Sequence, residues 1–211
     1  MIVAHRGYWD KYVPENSMTA FIRCVERKIP IELDAHLTKD NKVVVFHDYD
    51  LFRMTGINKK IEETNYEEIK TYNLKKSYEK IPLLEDVLKK VNNRVLILIE
   101  LKNKKVGPLE DEVLKITKKY NNYYFQTFNL KSIYYLKERT KTKFGLLVIN
   151  KLSKKLSYSN KIDFISHNLF TINTLKTNKE LFIFNINNQE ELNKSYKYTD
   201  NIIANIYNLN K

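Results

Sequence analysis

Pro30-Ile31-Glu32-Leu33-Asp34-Ala35-His36-Leu37-Thr38-Lys39-Asp40-Asn41-Lys42-Val43-Val44-Val45-Phe46-His47 is the stretch on which the fold turns. Alternate side chains of an extended strand share a face. Glu32 and Asp34 therefore project together, while Ile31 and Leu33 enter an apolar layer on the other side. The polar run from Thr38 to Lys42 reads as a turn. The stretch between Asp34 and Val43 is too short for a parallel crossover, which needs roughly a dozen residues or more. Residues 43–47 are thus predicted to return antiparallel, as a hairpin at the mouth of a larger sheet, with His47 landing level with Asp34.

Working outward, short apolar runs alternate with amphipathic segments, the pattern of an α/β chain. Strands are predicted at residues 2–5, 31–34, 43–47, 95–101, 123–127, 144–149, 162–166, 181–186 and 202–205. Helices are predicted at residues 18–28, 66–72, 84–91, 109–120, 131–139 and 189–196. The first of these starts after Pro14-Glu15, with Asn16 or Ser17 able to cap it. Setting the hairpin strand aside leaves eight strands for a closed (β/α)8 TIM barrel, whose site lies at the C-terminal mouth. Only residues 206–211 follow the last strand, so the last helix is predicted missing or truncated. Residues 48–81 are the longest excursion between barrel strands. They are too short for a second domain and read as a small lid-like insertion on a single domain spanning 1–211.

With 211 residues and 43% apolar content, the chain can bury one large core and is not a disordered polymer. No apolar run approaches the ~20 residues of a membrane-spanning helix. Met1 leads directly into a strand, leaving no room for a signal peptide. The one cysteine, Cys24, cannot form an intramolecular disulfide and falls on the apolar side of the first helix, which suits core packing and a cytoplasmic location. The net charge of +12 attracts anions without identifying one. Its lysines are dispersed, with short runs at 102–105 and 151–155, so nucleic acid is not the expected partner.

The apolar run beginning at Val95 ends in Glu100-Leu101-Lys102, again two charges on one strand face. Charged groups closing apolar strands are costly without partners. Glu32, Asp34 and Glu100 brought together make an oxygen-rich site for one divalent cation, Mg²⁺, Ca²⁺ or Mn²⁺. On spacing alone, an ion-pair network with Lys102 and Arg6 explains the same residues equally well. His5 and His47 also close apolar strands, and imidazoles titrate near neutrality, as an acid–base pair requires. Arg6 offers a two-pronged donor for phosphate and Lys102 a point charge. His36 and His167 are read as structural or supporting. Tyr8, Trp9 and Tyr12 cluster on the first mouth loop, for packing or for stacking on a cationic head group.

Five blocks in order carry a resemblance. They are His5-Arg6-Gly7 with Pro14-Glu15-Asn16-Ser17; Ile31-Glu32-Leu33-Asp34 with Leu37-Thr38-Lys39-Asp40; Val44-Val45-Phe46-His47-Asp48 with Leu51, Arg53, Thr55 and Gly56; Ile81-Pro82-Leu83-Leu84-Glu85; and Ile99-Glu100-Leu101-Lys102. Together they resemble the glycerophosphodiester phosphodiesterase family over about half the chain. The later half departs from that pattern at Gln126-Thr127-Phe128, Phe184-Asn185-Ile186-Asn187 and Ile202-Ile203-Ala204-Asn205, around the leaving-group wall. The resemblance implies a TIM barrel in which Glu32, Asp34 and Glu100 hold one cation and His5 and His47 exchange protons. It also implies that Arg6 and Lys102 hold the phosphate and that Glu15 helps orient the site. The implied reaction releases an alcohol and glycerol 3-phosphate through a cyclic phosphate, from a small glycerophosphodiester or a glycerol-phosphate-decorated substrate. Two alternatives use the same residues: a phospholipase D-like enzyme releasing a cyclic phosphate from a lysolipid, and a phosphodiester-binding barrel without turnover.

Overall fold

The structure, a computed structural model, describes residues 1–150, 159–172 and 177–209. Its strands are β1 (Ile2–Ala4), β2 (Ile31–Leu37), β3 (Val43–Val45), β4 (Ile97–Leu101), β5 (Tyr123–Thr127), β6 (Phe144–Val148), β7 (Phe164–Asn168), β8 (Glu180–Ile186) and β9 (Ile202–Ala204). All but β3 run parallel, in the order β1-β2-β4-β5-β6-β7-β8-β9. Pairing of β9 with β1, at Ile2 with Ile202 and Ala4 with Ala204, closes an eight-stranded TIM barrel. The hairpin forms as the short connection requires: Leu37 faces Val43 and Ala35 faces Val45 across an antiparallel ladder. It stops at Val45 rather than at residue 47, although the Phe46 N–H still donates to the Asp34 carbonyl at 2.9 Å.

The helices are α1 (Met18–Glu26), α2 (Phe52–Thr55), α3 (Tyr66–Ile69), α4 (Leu84–Val91), α5 (Pro108–Thr117), α6 (Leu130–Lys137), α7 (Gln189–Ser195) and α8 (Ile206–Leu209). Ser17 caps α1, its hydroxyl accepting from the Ala20 N–H, and Ala20, Phe21, Cys24 and Val25 form the buried face. Gly107 and Pro108 open α5, where the Glu110 carboxylate accepts the Gly107 N–H at 2.8 Å. Among the described residues, the segment after the last strand forms one helical turn, Ile206–Leu209. None of the described helices is long and apolar enough to cross a membrane.

Two expectations need correction, and one short helix was not expected. The helix expected over 66–72 stops at Ile69. The strand expected at 162–166 lies two residues later, because Asp163 is held outside it: its carboxylate accepts the Phe144 N–H at 2.8 Å and pairs with Lys137. The short α2 was not expected. It is one turn, too short for a periodic signal, and Gly56 at φ +78° ends it. Residues 151–158, with the lysine run at 151–155, and residues 173–176 lie outside the described residues.

Period-two alternation sorts the barrel side chains into two layers. Ile31, Leu33 and Ala35 of β2, with Ile97, Ile99 and Leu101 of β4, face outward into a core shared with Phe21, Val87, Leu88 and Leu109 of the helices. Inside, Val3, Leu98, Leu147, Phe164, Phe182 and Ile203 plug the barrel. Gly145 makes room for that plug, since a Cβ there would sit 2.1 Å from the Phe164 ring. Two residues further toward the mouth the inward positions turn polar: Leu98 gives way to Glu100, Tyr124 to Gln126 and Phe164 to Ser166. Residues 48–81 carry a separate apolar cluster, with Leu51, Met54, Ile61, Ile69 and Leu74 packed on Val44 and Phe46 of the hairpin.

Candidate active site

Glu32 and Asp34 face into the barrel on β2, and the ladder sets Asp34 beside Glu100 of β4. Side-chain oxygens of Glu32, Asp34 and Glu100 all lie within 4.8 Å of one another, and all three residues are buried. Their hydrogen bonds are directional. Glu32 accepts the Arg6 backbone N–H at 3.0 Å and the Gln126 amide at 3.3 Å, while Gln126 in turn accepts the Ser166 hydroxyl at 2.8 Å. Asp34 accepts the Asn16 amide at 2.8 Å. Lys102 completes the group, its ammonium 2.5 Å from Glu100 and 3.1 Å from Asp34. Those contacts are ion pairs: the buried Asp34 Oδ1 and Glu100 Oε1 find no well-directed hydrogen bond.

Burial raises the pKa of Glu32 well above its ordinary value, with Asp34 and Glu100 adding repulsion. Burial likewise pushes Glu100 up to about 7, against the pull of Lys102. For Asp34 burial acts in the same direction, but Lys102 and Arg6 overcome it and hold the carboxyl below the usual range. A donor set of three carboxylates, two still seeking their protons and two with under-coordinated oxygens, fits a divalent cation.

His5 follows β1, its N–H bonded to the Ala204 carbonyl at 2.9 Å and its carbonyl to the Trp9 indole N–H at 3.0 Å. Burial, then Arg6, lowers its pKa to about 3. His47 leaves the hairpin beside it, and burial lowers its pKa too, although Asp34 opposes the shift. The His47 Nδ1 lies 2.6 Å from Asp48 Oδ1. A carboxylate there places the ring proton on Nδ1 and leaves Nε2 as the basic nitrogen. His36 stands one step further out on β2 and bonds the His47 carbonyl at 3.1 Å, so it supports the loop. His167 is buried on the outward side of β7, away from these groups.

Arg6 turns the chain at the mouth with φ +59°, followed by Gly7 at +81°. A side chain at Gly7 would meet Ala20 and Phe21 at 3.0 Å, so the turn presses on α1. The Arg6 guanidinium lies 2.8 Å from Glu15 and 3.5 Å from Asp34. Glu15 is shared with Arg53 of α2, at 2.6 and 3.2 Å, and Arg53 grips Asp48 at 2.5 and 3.0 Å. The result is a continuous line from His47 through Asp48, Arg53 and Glu15 to Arg6. His5, Arg6, Glu32, His47, Glu100, Lys102, Gln126 and Phe128 line a cavity of about 90 Å³ at its centre.

The eight residues given catalytic, metal-binding or substrate-binding roles from the sequence, His5, Arg6, Glu15, Glu32, Asp34, His47, Glu100 and Lys102, thus meet at one mouth. Sequence reasoning did not assign Asp48, Arg53 or Gln126. Asp48 adjoins His47 in the chain, and Gln126 occupies an inward strand position where an apolar residue would be ordinary. Asp48 and Arg53 also stand in the third block of the resemblance, which gave them no role.

The profile of the glycerophosphoryl diester phosphodiesterase family matches residues 5–211. Bacillus subtilis YqiK is 40% identical over 145 residues, 63% of this chain and 59% of YqiK, so the aligned chain spans less than two thirds of that relative. Bacillus subtilis YhdW is 32% identical over 214 residues, 90% of this chain and 87% of YhdW. The crystal structure of the Thermotoga maritima glycerophosphodiester phosphodiesterase superimposes with a TM-score of 0.80 at 28% identity, over 97% of this chain and 93% of that one. The family match runs through both mouth histidines, the carboxylate triad and every barrel strand after β1, and the chain belongs to the glycerophosphoryl diester phosphodiesterase family, a family of hydrolases.

Proposed function

We propose that this chain hydrolyses a glycerophosphodiester to an alcohol and glycerol 3-phosphate. The observation that carries the reading is the convergence of three buried carboxylates, two of them lining the same cavity as His5 and His47. Glu32, Asp34 and Glu100 are the residues that would hold one divalent cation, Mg²⁺, Ca²⁺ or Mn²⁺. Bound there, the cation would supply Lewis-acid stabilisation of the phosphate oxygens.

The side chains divide the remaining work. Arg6 and Lys102 bind the diester phosphate and offset the charge that grows on its oxygens in the transition state. One histidine removes the proton of the glycerol 2-hydroxyl as it attacks phosphorus. The other delivers a proton to the leaving alcohol, and water then opens the cyclic phosphate. For His47 the charged ring is supported by Asp34 and Asp48, the two groups that raise its pKa. Glu15 orients Arg6 from one side while Arg53 holds Glu15 and Asp48 from the other. Residues 48–81 serve as a lid-like insertion on a single domain, reaching the site through Arg53. We place the protein in the cytoplasm, where its buried Cys24, whose thiol burial pushes up to about 12, stays reduced and inert.

The test is a panel of glycerophosphodiesters with each of the three cations, followed by release of glycerol 3-phosphate and by phosphorus NMR. Release with at least one cation is expected. No release from any diester would refute the reading, and accumulation of a cyclic ester would move the protein to the phospholipase D-like alternative.

A further inference from the structure

Strand β5 brings an amide to the mouth at a position where an apolar side chain would pack. Gln126 is buried and lies level with Glu100 on one side and Gly145 on the other in the strand ladder. Ser166 of β7 is buried as well. Buried amides and hydroxyls are costly unless their donors and acceptors are used. Here they are spent in one line: the Ser166 hydroxyl donates to Gln126 Oε1 at 2.8 Å, and Gln126 Nε2 donates to Glu32 Oε1 at 3.3 Å. Chemistry fixes the direction of that line. A metal-binding Glu32 is a carboxylate, and a carboxylate only accepts, so the amide must turn its NH2 to Glu32 and its oxygen to Ser166. The reverse orientation would set two acceptor oxygens against each other.

Glu32 is held differently from its two neighbours. Its second oxygen, Oε2, accepts the Arg6 backbone N–H at 3.0 Å. Donors from β5 and from the turn after β1 thus fix both oxygens of one carboxylate, and neither donor is a charged side chain. Asp34 and Glu100 instead face the Lys102 ammonium at 3.1 and 2.5 Å, a charge that competes with a cation for the same oxygens. Gln126 holds its carboxylate without neutralising it, and it lines the catalytic cavity.

We propose that Gln126, oriented by Ser166, is a positioning residue of the cation site, holding the Glu32 carboxylate in the place a divalent cation requires. The proposal rests on the cation reading above. It has a consequence that depends on the ion. Mg²⁺ demands near-ideal octahedral geometry, whereas Ca²⁺ accepts flexible, irregular coordination. A Glu32 free to swing therefore costs Mg²⁺ more than Ca²⁺.

The test titrates chelator-stripped protein with Mg²⁺ and, separately, with Ca²⁺ by calorimetry, with no substrate present. Gln126→Leu keeps the bulk of the side chain and removes both hydrogen bonds. It should weaken Mg²⁺ binding ~10-fold or more, the scale for partners that orient metal ligands, and Ca²⁺ binding less. Ser166→Ala should weaken Mg²⁺ binding in the wild-type background and change nothing further beside Gln126→Leu, because Ser166 acts only through the amide. Unchanged Mg²⁺ affinity in Gln126→Leu overturns the proposal, as does an equal loss for the two cations or a Ser166→Ala loss that persists without Gln126. Should Gln126→Leu fail to fold, Ser166→Ala alone decides: a loss greater for Mg²⁺ than for Ca²⁺ upholds the proposal, and no loss ends it. If neither cation binds the wild-type protein, the cation reading has failed, and the contact is judged by thermal unfolding in chelator. A stability cost of Gln126→Leu that vanishes beside Glu32→Leu upholds Gln126 as the residue that holds Glu32; additive costs overturn it.

Discussion

Replacing Glu100 by Gln should make the metal-free protein more stable at neutral and alkaline pH. The Glu100 carboxyl is buried, and burial, with Asp34 adding and Lys102 opposing, moves its pKa from 4.5 to about 7. The unfolded chain sheds this proton near 4.5 and the folded chain near 7. Between those values the folded state binds more protons, so stability falls as pH rises and the loss is complete above the folded pKa. At 1.36 kcal/mol per pH unit, the displacement amounts to roughly 3 kcal/mol. Gln resembles the protonated acid and stays neutral throughout, so the variant escapes the loss. Lys102 keeps Asp34 as a partner at 3.1 Å, which limits the cost of the substitution. Thermal unfolding in chelator at about pH 4 and about pH 8 reads the effect. For a chain of this length, the two proteins should differ by ~6–12 °C more at the higher pH than at the lower. Saturating cation at about pH 8 should then raise the wild-type midpoint and leave the variant nearly unmoved. Parallel pH curves for the two proteins would refute the argument, because Glu100 would then hold no extra proton in the folded state.

His47→Ala should lower kcat by at least ~10²-fold with a smaller change in KM, measured by steady-state release of glycerol 3-phosphate; near-normal turnover would mean another group carries the proton. Lys102→Met should leave cation affinity unchanged or tighter, by titration calorimetry, yet depress kcat/KM, since its ammonium lies 2.5 Å from Glu100 and 3.1 Å from Asp34. Full recovery of activity at saturating cation would instead make Lys102 a counter-ion without a substrate role. Gly145→Ala places a Cβ 2.1 Å from the Phe164 ring and should cost ~1–3 kcal/mol in a denaturant titration. An unchanged midpoint would show that Phe164 moves aside freely.

The sequence by itself carried the frame, because that frame follows from local rules. Alternation along β2 and β4 determined that Glu32, Asp34 and Glu100 point one way and Ile31, Leu33 and Ile99 the other. The few residues between Asp34 and Val43 determined the antiparallel hairpin, and with it the count of eight parallel strands. The order of motifs then brought His5, Arg6, Glu15, His47 and Lys102 to the same mouth.

What the chain order could not show are contacts fixed by how distant segments meet. Arg53 sits on a one-turn helix 38 residues from Glu15, yet it joins Glu15 to Asp48 because the insertion packs on the hairpin. Gln126 reaches Glu32 across 94 residues and Ser166 across 40 only because barrel closure turns β2, β5 and β7 inward at one level. The sharing of Lys102 between Glu100 and Asp34 depends on the register of β2 against β4, and the raised pKa values of Glu32 and Glu100 depend on their shared burial. Strand periodicity assigns a side chain to a face; only the closed barrel sets which charges share that face, at what distance and without water, and those three quantities govern their protonation.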